Sequence, residues 1–303
     1  MKKMKAKVII PILVISALIT TGILVSSFFV YSANASSEDP NDFLKLQSNG
    51  SSEDLLIKLD VCNAIIGYNT TPTNERVSVK LGSNEIIGIP QFSQTTEEGT
   101  TVIIPKEVEV IKVVLRTDLQ YNLNILTTNG SIFLSVPENV TLGNVHLTTV
   151  SGDILTTFLG GNEIHDLNLL TVDGHISAEV IASNIRGNIN LGTTTGIISS
   201  TFHNNSYLNE CQFNILDITG TIYLNIAQHD EMINDVSGTI AIITGNIIID
   251  YFDSTENVSA DIGGISLSGL SNTYTSPNHP AEHSYEFGCT VIEGYVLISA
   301  DDS

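Results

Sequence analysis

An all-β chain built as a parallel β-helix, or β-solenoid, with coils of about 22 residues is the fold class this sequence predicts. Three observations carry it. Glycines recur at 130, 152, 174 and 196, three consecutive spacings of 22, and again at 220 and 238. The same apolar residue types stand at fixed offsets from each glycine. Between them, polar residues alternate with period two, the mark of half-buried strands and not of helices.

The repeats read LNILTTNGSI, VHLTTVSGDI, LNLLTVDGHI, INLGTTTGII, FNILDITGTI and EMINDVSGTI. Two places after Gly130, Gly152, Gly174, Gly196, Gly220 and Gly238 come Ile132, Ile154, Ile176, Ile198, Ile222 and Ile240. Five places before stand Ile125, Leu147, Leu169, Leu191, Ile215 and Ile233. The column seven before is apolar except at Glu231, and the column six after is apolar except at Thr244. Both exceptions belong to the Gly238 repeat. Six before the glycine lies an Asn-rich column, Asn124, His146, Asn168, Asn190 and Asn214. Three before lie Thr127, Thr149, Thr171 and Thr193, followed by Asp217 and Asp235, a column read as outward-facing. A small polar residue followed by Gly supplies the bend, because glycine accepts positive φ without penalty. One such unit cannot bury its apolar stripe, whereas stacked units place like on like. The alternative architecture is a β-sandwich of repeated antiparallel hairpins. Handedness is expected to be right, as for other parallel crossovers.

The remaining text divides around these repeats. Residues 1–7 form a basic head with Lys2, Lys3, Lys5 and Lys7. Residues 8–31 are uncharged and mostly apolar, long enough for a transmembrane signal anchor. Ala33-Asn34-Ala35 has the form of a cleavage site, so a signal peptide cut after Ala35 competes with the anchor. The ectodomain then lies outside a cell membrane, or is secreted if cleaved. Residues 32–54 read as a polar linker, and 55–118 as irregular capping strands. Regular repeats fill 119–245, and looser coils with a C-terminal cap fill 246–303.

The chain carries 33 acidic against 12 Lys and Arg residues, a formal charge of −21, with 42% hydrophobic residues. That apolar content excludes disorder as the main state. No Lys or Arg follows Arg186, which argues against nucleic acid as a partner. Cys62, Cys211 and Cys289 lack CxxC spacing and so give no support for structural zinc. A Cys211–Cys289 bridge and three buried thiols are both compatible with the sequence.

Chemistry has two weak footholds. His279-Pro280-Ala281-Glu282-His283 spells H-x-x-E-H, the inverted zincin motif, but two prolines (Pro277, Pro280) and flanking strand patterns oppose the helix that motif needs, leaving a weak metal site on His279 and His283 or a solvated loop as the readings. Asp217 and Asp235, if stacked on adjacent coils, would lie about 5 Å apart and would form a carboxylate pair or a Ca2+ site. No resident cofactor and no catalytic residue is otherwise indicated.

The phrases LTTNGSI, LTTVSGDI, LTVDGHI and DITGTI, after an opening section with VSVKL and TVIIP, resemble the putative-adhesin β-strand-repeat family of bacteria and archaea. The resemblance spans roughly residues 55–299. It implies a membrane-tethered surface solenoid without a catalytic apparatus. The expected function is therefore non-enzymatic, in adhesion, binding or envelope structure, with a glycan or surface protein as partner. A carbohydrate-active β-helix enzyme using Asp217 and Asp235 is one alternative, and an envelope-stress accessory protein is another.

Overall fold

The computed structural model describes residues 42–47, 52–69, 75–81, 91–95, 99–104, 109–254, 257–277 and 279–302. The basic head, the apolar segment 8–31 and residues 32–41 lie outside them. Every described element is a strand, and no helix occurs among the described residues.

Strand pairing settles the architecture. Thr141–Ser151 pairs in parallel with Leu167–Asp173, which pairs in parallel with Ile189–His203, always exactly one repeat apart (Leu147↔Leu169, Leu169↔Leu191). After the corner glycine, Ile132–Val136, Ile154–Phe158 and Ile176–Ile181 pair the same way. Short strands such as Glu163–Ile164 and Asn184–Ile185 form a third side. The result is a β-solenoid, not a sandwich. Its interior is the aligned apolar columns: Leu147, Leu169 and Leu191 on one side, Ile154, Ile176 and Ile198 on the next, all buried.

Glycine is required at the corner for two reasons. Gly152, Gly174, Gly196 and Gly220 hold φ between 142° and 158°. A Cβ on any of them would also collide with the carbonyl oxygen of the glycine one coil earlier. The coils therefore approach each other backbone to backbone there, which no other residue allows.

The column continues differently from the sequence reading. Gly220 pairs with Gly245, and Gly245 with Gly294; Gly238 pairs with Phe213 inside a strand. With Gly245 as the corner, the exceptions vanish: Ile240 falls five before, Ile247 two after and Tyr251 six after, all buried. Ile233, Glu231 and Thr244, misplaced by the Gly238 register, are exposed. The step from Gly196 to Gly220 is 24 and that from Gly220 to Gly245 is 25, so a fixed period of 22 loses phase. Gly238 has a different purpose. It leaves room for the rings of Phe213 and Phe287, which flank it in register and approach to 5.7 Å between centroids.

Both ends share one topological device. Ser52–Val61 lies between Gln120–Asn129 on one side and Gly99–Ile104 on the other, parallel to both. Likewise His283–Asp302 lies between Val236–Asp253 and Val258–Ser266, again parallel to both. At each end, then, an internal segment forms the outermost coil and a terminal segment fills the rung beneath it. The outermost rungs are overlaid by antiparallel strands. Gln91–Thr95 pairs with Gly99–Ile104, Glu75–Leu81 with Val110–Arg116, and Tyr274–Thr275 with Val258–Ser266. These strands interrupt the open parallel edges that would otherwise recruit other chains. Asp42–Gln47 pairs antiparallel with Glu75–Leu81, so the stretch read as linker already contributes a strand.

Candidate functional site

Period two decides which side chains reach solvent. Residues seven, five and three before the corner glycine share the inner face, and those six and four before share the outer one. The Thr column therefore points inward, opposite to the orientation expected from its polarity. Thr127, Thr149, Thr171 and Thr193 are buried, and each hydroxyl donates to a corner carbonyl one coil earlier. For Thr149 the acceptor is Gly130 at 2.9 Å, and for Thr171 it is Gly152 at 3.1 Å. A hydroxyl is tolerated inside because the corner always offers this acceptor.

Asp217 continues the column, fully buried. One carboxyl oxygen accepts from the Thr219 amide at 3.1 Å, and the other, Oδ2, has no partner among the described residues. Burial pushes its pKa up to about 7, partly offset by the amides of Thr219 and Ile218. A protonated Asp217 can donate as its threonine neighbours do, and an ionised one cannot. The column then turns apolar at Ile242 and Val291.

Asp235 does not stack on Asp217. The strand partner of Asp217 is Ile242, while Asp235 lies just before Val236, which pairs with Cys211. Its exposed carboxylate accepts from the Ser284 amide at 2.8 Å and lies 3.7 Å from His283 Nδ1. The acid pair expected on adjacent coils is thus dissolved by the same phase error that misplaced Gly238. The candidate Ca2+ site built on that pair has no geometric basis.

His279 and His283 are not on a helix. His279 precedes Pro280 in a loop, with Nδ1 3.1 Å from Ser259 Oγ, and His283 opens the strand His283–Asp302. Among the described residues no group of three or more His, Cys, Asp or Glu side chains gathers at metal-binding distance. The three cysteines are free and buried, and desolvation raises Cys62 to about 11 and Cys211 and Cys289 to about 12.

What the fold does bring together is the outer Asn column. Asn190 Nδ2 donates to Asn168 Oδ1 at 2.7 Å, and Asn214 Nδ2 donates to Asn190 Oδ1 at 2.9 Å. One coil before Asn168, His146 contacts Thr148 Oγ1 at 3.0 Å, and burial lowers its pKa. Beside the amides runs an apolar column in which Leu216 and Ala241 are almost fully covered although they face outward, with Ile218 packed against them. Amide groups at one-coil intervals beside an apolar strip make a flat, pre-ordered face, each amide keeping donor and acceptor capacity for a ligand.

A second ladder lines the corner and escaped sequence reading. Asn63 Oδ1 accepts from the Ser131 amide, Ser131 Oγ from Asp153, Asp153 Oδ1 from His175, and His175 Nδ1 from Ile197, at 2.8 to 3.1 Å. Only the offset one after the corner residue, Cys62 and then the glycines, links these residues. Their chemical types differ, so no column of identical letters announces them.

No family model and no curated protein matches this sequence. Among solved structures, one match is a putative cell adhesion protein from Clostridium sporogenes ATCC 15579, over 85% of this chain and 97% of that one. Identity is 10% and the TM-score 0.29, so the fold assignment rests on the strand pairing alone.

Proposed function

We propose that this chain is a non-enzymatic cell-surface β-solenoid, its coils wound right-handed, held at the membrane by residues 8–31 and engaging glycans through its outer amide face. The observation that carries the reading is the hydrogen-bonded ladder Asn168–Asn190–Asn214, with amides spaced by one coil, about 4.8 Å. Sugar hydroxyls are satisfied by such paired donors and acceptors. The placement of Asp217 inside the core and Asp235 at the surface favours binding over hydrolysis, because glycosidases hold two carboxylates on either side of one bond.

The test is a glycan array with the full chain, with and without calcium, against the triple variant Asn168→Ala, Asn190→Ala, Asn214→Ala. Selective binding that the variant loses is the expected result. Binding that survives in the variant places the site elsewhere. Absence of binding in either condition overturns the glycan reading in favour of a structural role.

A further inference from the structure

Outside the amide face, one corner of the later coils gathers two imidazoles. His203 ends the strand Ile189–His203, and His229 follows the end of Cys211–Gln228 one coil on. In the regular coils, positions seven and nine past the corner on successive turns would keep to their own columns. Here the two rings meet, with centroids 5.4 Å apart and planes at 63°.

Neighbouring groups hold the second histidine in place. Its amide donates to Asn204 Oδ1 at 2.7 Å, its ring lies 5.0 Å from Phe252, and its Nδ1 is 3.0 Å from Ser254 Oγ. With Nδ1–H donating to that hydroxyl, Nε2 carries the free lone pair. A metal-ligating histidine characteristically uses its other nitrogen in this way. The ring of His203 has no hydrogen bond among the described residues, and His229 is exposed, so the pair is open to solvent.

The spacing can be tested against coordination geometry. With a metal–nitrogen bond of about 2.05 Å, the centre of a ligating imidazole lies about 3.2 Å from the ion. Two such rings at a tetrahedral angle then have centres about 5.2 Å apart. The observed separation is 5.4 Å.

We propose that His203 and His229 form a two-histidine site for a divalent transition ion of the zinc type, clipping two successive coils together. Water completes the coordination, so the ion exchanges readily. Imidazole pairs favour Zn2+, Ni2+ and Cu2+ over Ca2+. The site is separate from the amide face and does not depend on glycan binding.

Zn2+ titration of the full chain, followed by calorimetry and by the thermal unfolding midpoint, tests this. Saturable binding of one ion and a raised midpoint are expected. His203→Gln and His229→Gln should each weaken binding at least tenfold, while the unfolding midpoint without metal stays near that of the parent. Ser254→Ala should weaken binding by about tenfold, the usual effect of losing a partner that orients a ligand. The double variant His279→Gln, His283→Gln should bind as the parent does. An electron paramagnetic resonance spectrum of the Cu2+-loaded parent should show two coordinated imidazole nitrogens, a readout independent of any variant. Zn2+ affinity unchanged in His203→Gln, no saturable binding, or a copper signal from fewer than two nitrogens would each overturn the proposal.

Discussion

The coils up to Gly196 and the coils after it solve the same packing problem with different materials. In the first set the glycine spacing is 22 and the interior is mainly aliphatic, with Leu147, Leu169, Leu191, Ile154, Ile176 and Ile198 in register and Tyr121 and Phe158 as buried rings. In the second set the spacing grows to 24 and 25, and clustered rings join aliphatic residues such as Ile215 and Ile222 in the interior. Phe202 meets Phe213 at 4.7 Å, Phe213 meets Phe287 at 5.7 Å, and Tyr207 and Tyr251 each meet Tyr285 at 5.9 Å. A longer coil encloses a wider cross-section, and large side chains are needed to fill it to native density. The polar column changes in the same place. Threonines that bond corner carbonyls give way to Asp217 and then to Ile242 and Val291. Regular stacking is thus sustained by repetition of identical contacts, and the wider coils by particular ones.

Substitutions at the points of difference should break the two halves differently. The largest effect is expected at Gly238. Its Cβ would strike the backbone carbonyl of Phe213, so Gly238→Val should destabilise by more than about 3 kcal/mol, read as a fall in the midpoint of chemical unfolding.

Next comes Asp217. Its folded-state pKa, near 7, lies above the ordinary carboxylate value, so the folded protein keeps a proton that the unfolded chain releases. Stability attributable to this group is complete below about pH 4 and falls as pH rises to about 7, by up to about 4 kcal/mol. Asp217→Thr restores the ladder's donor and removes the titration. It should stabilise the protein at pH 8 and change little at pH 4, which unfolding curves at the two pH values will show.

A smaller effect is expected within the regular coils. Thr171→Val keeps the shape but deletes the hydroxyl that bonds Gly152, and should cost about 1 kcal/mol. A cost near zero would mean that the inward threonines contribute volume alone.

The regular half was legible because its columns repeat letter for letter, and the in-register pairing of Leu147 with Leu169 and Ile154 with Ile176 follows from them. The Gly238 register suggests itself because VSGTI imitates the ITGTI that spans the true corner at Gly220. Glu231 and Thr244, breaking the apolar columns, were the signal of lost phase. The inward Thr column was recoverable from period two, but polarity suggested the opposite face. The order of coils at the two ends was not legible at all. Parallel pairing is indifferent to chain order once connections are long, so nothing in the letters places His283–Asp302 beneath Val258–Ser266. The histidine pair was hidden because His203 and His229 stand at different offsets past Gly196 and Gly220, so no single repeat column holds both.

The central claim is the register that sets Gly245, and not Gly238, on the corner. Nitroxide pairs on introduced cysteines test it directly, since the native thiols are buried and desolvated enough to stay unlabelled. Asn225 pairs with Asp250 in the structure, whereas a Gly238 corner would set Asn225 beside Ile243; none of the three is buried. Labels at Asn225→Cys and Asp250→Cys should sit about one coil spacing apart and broaden each other's spectra strongly. Labels at Asn225→Cys and Ile243→Cys should not. Strong coupling in the second pair and none in the first would contradict the register.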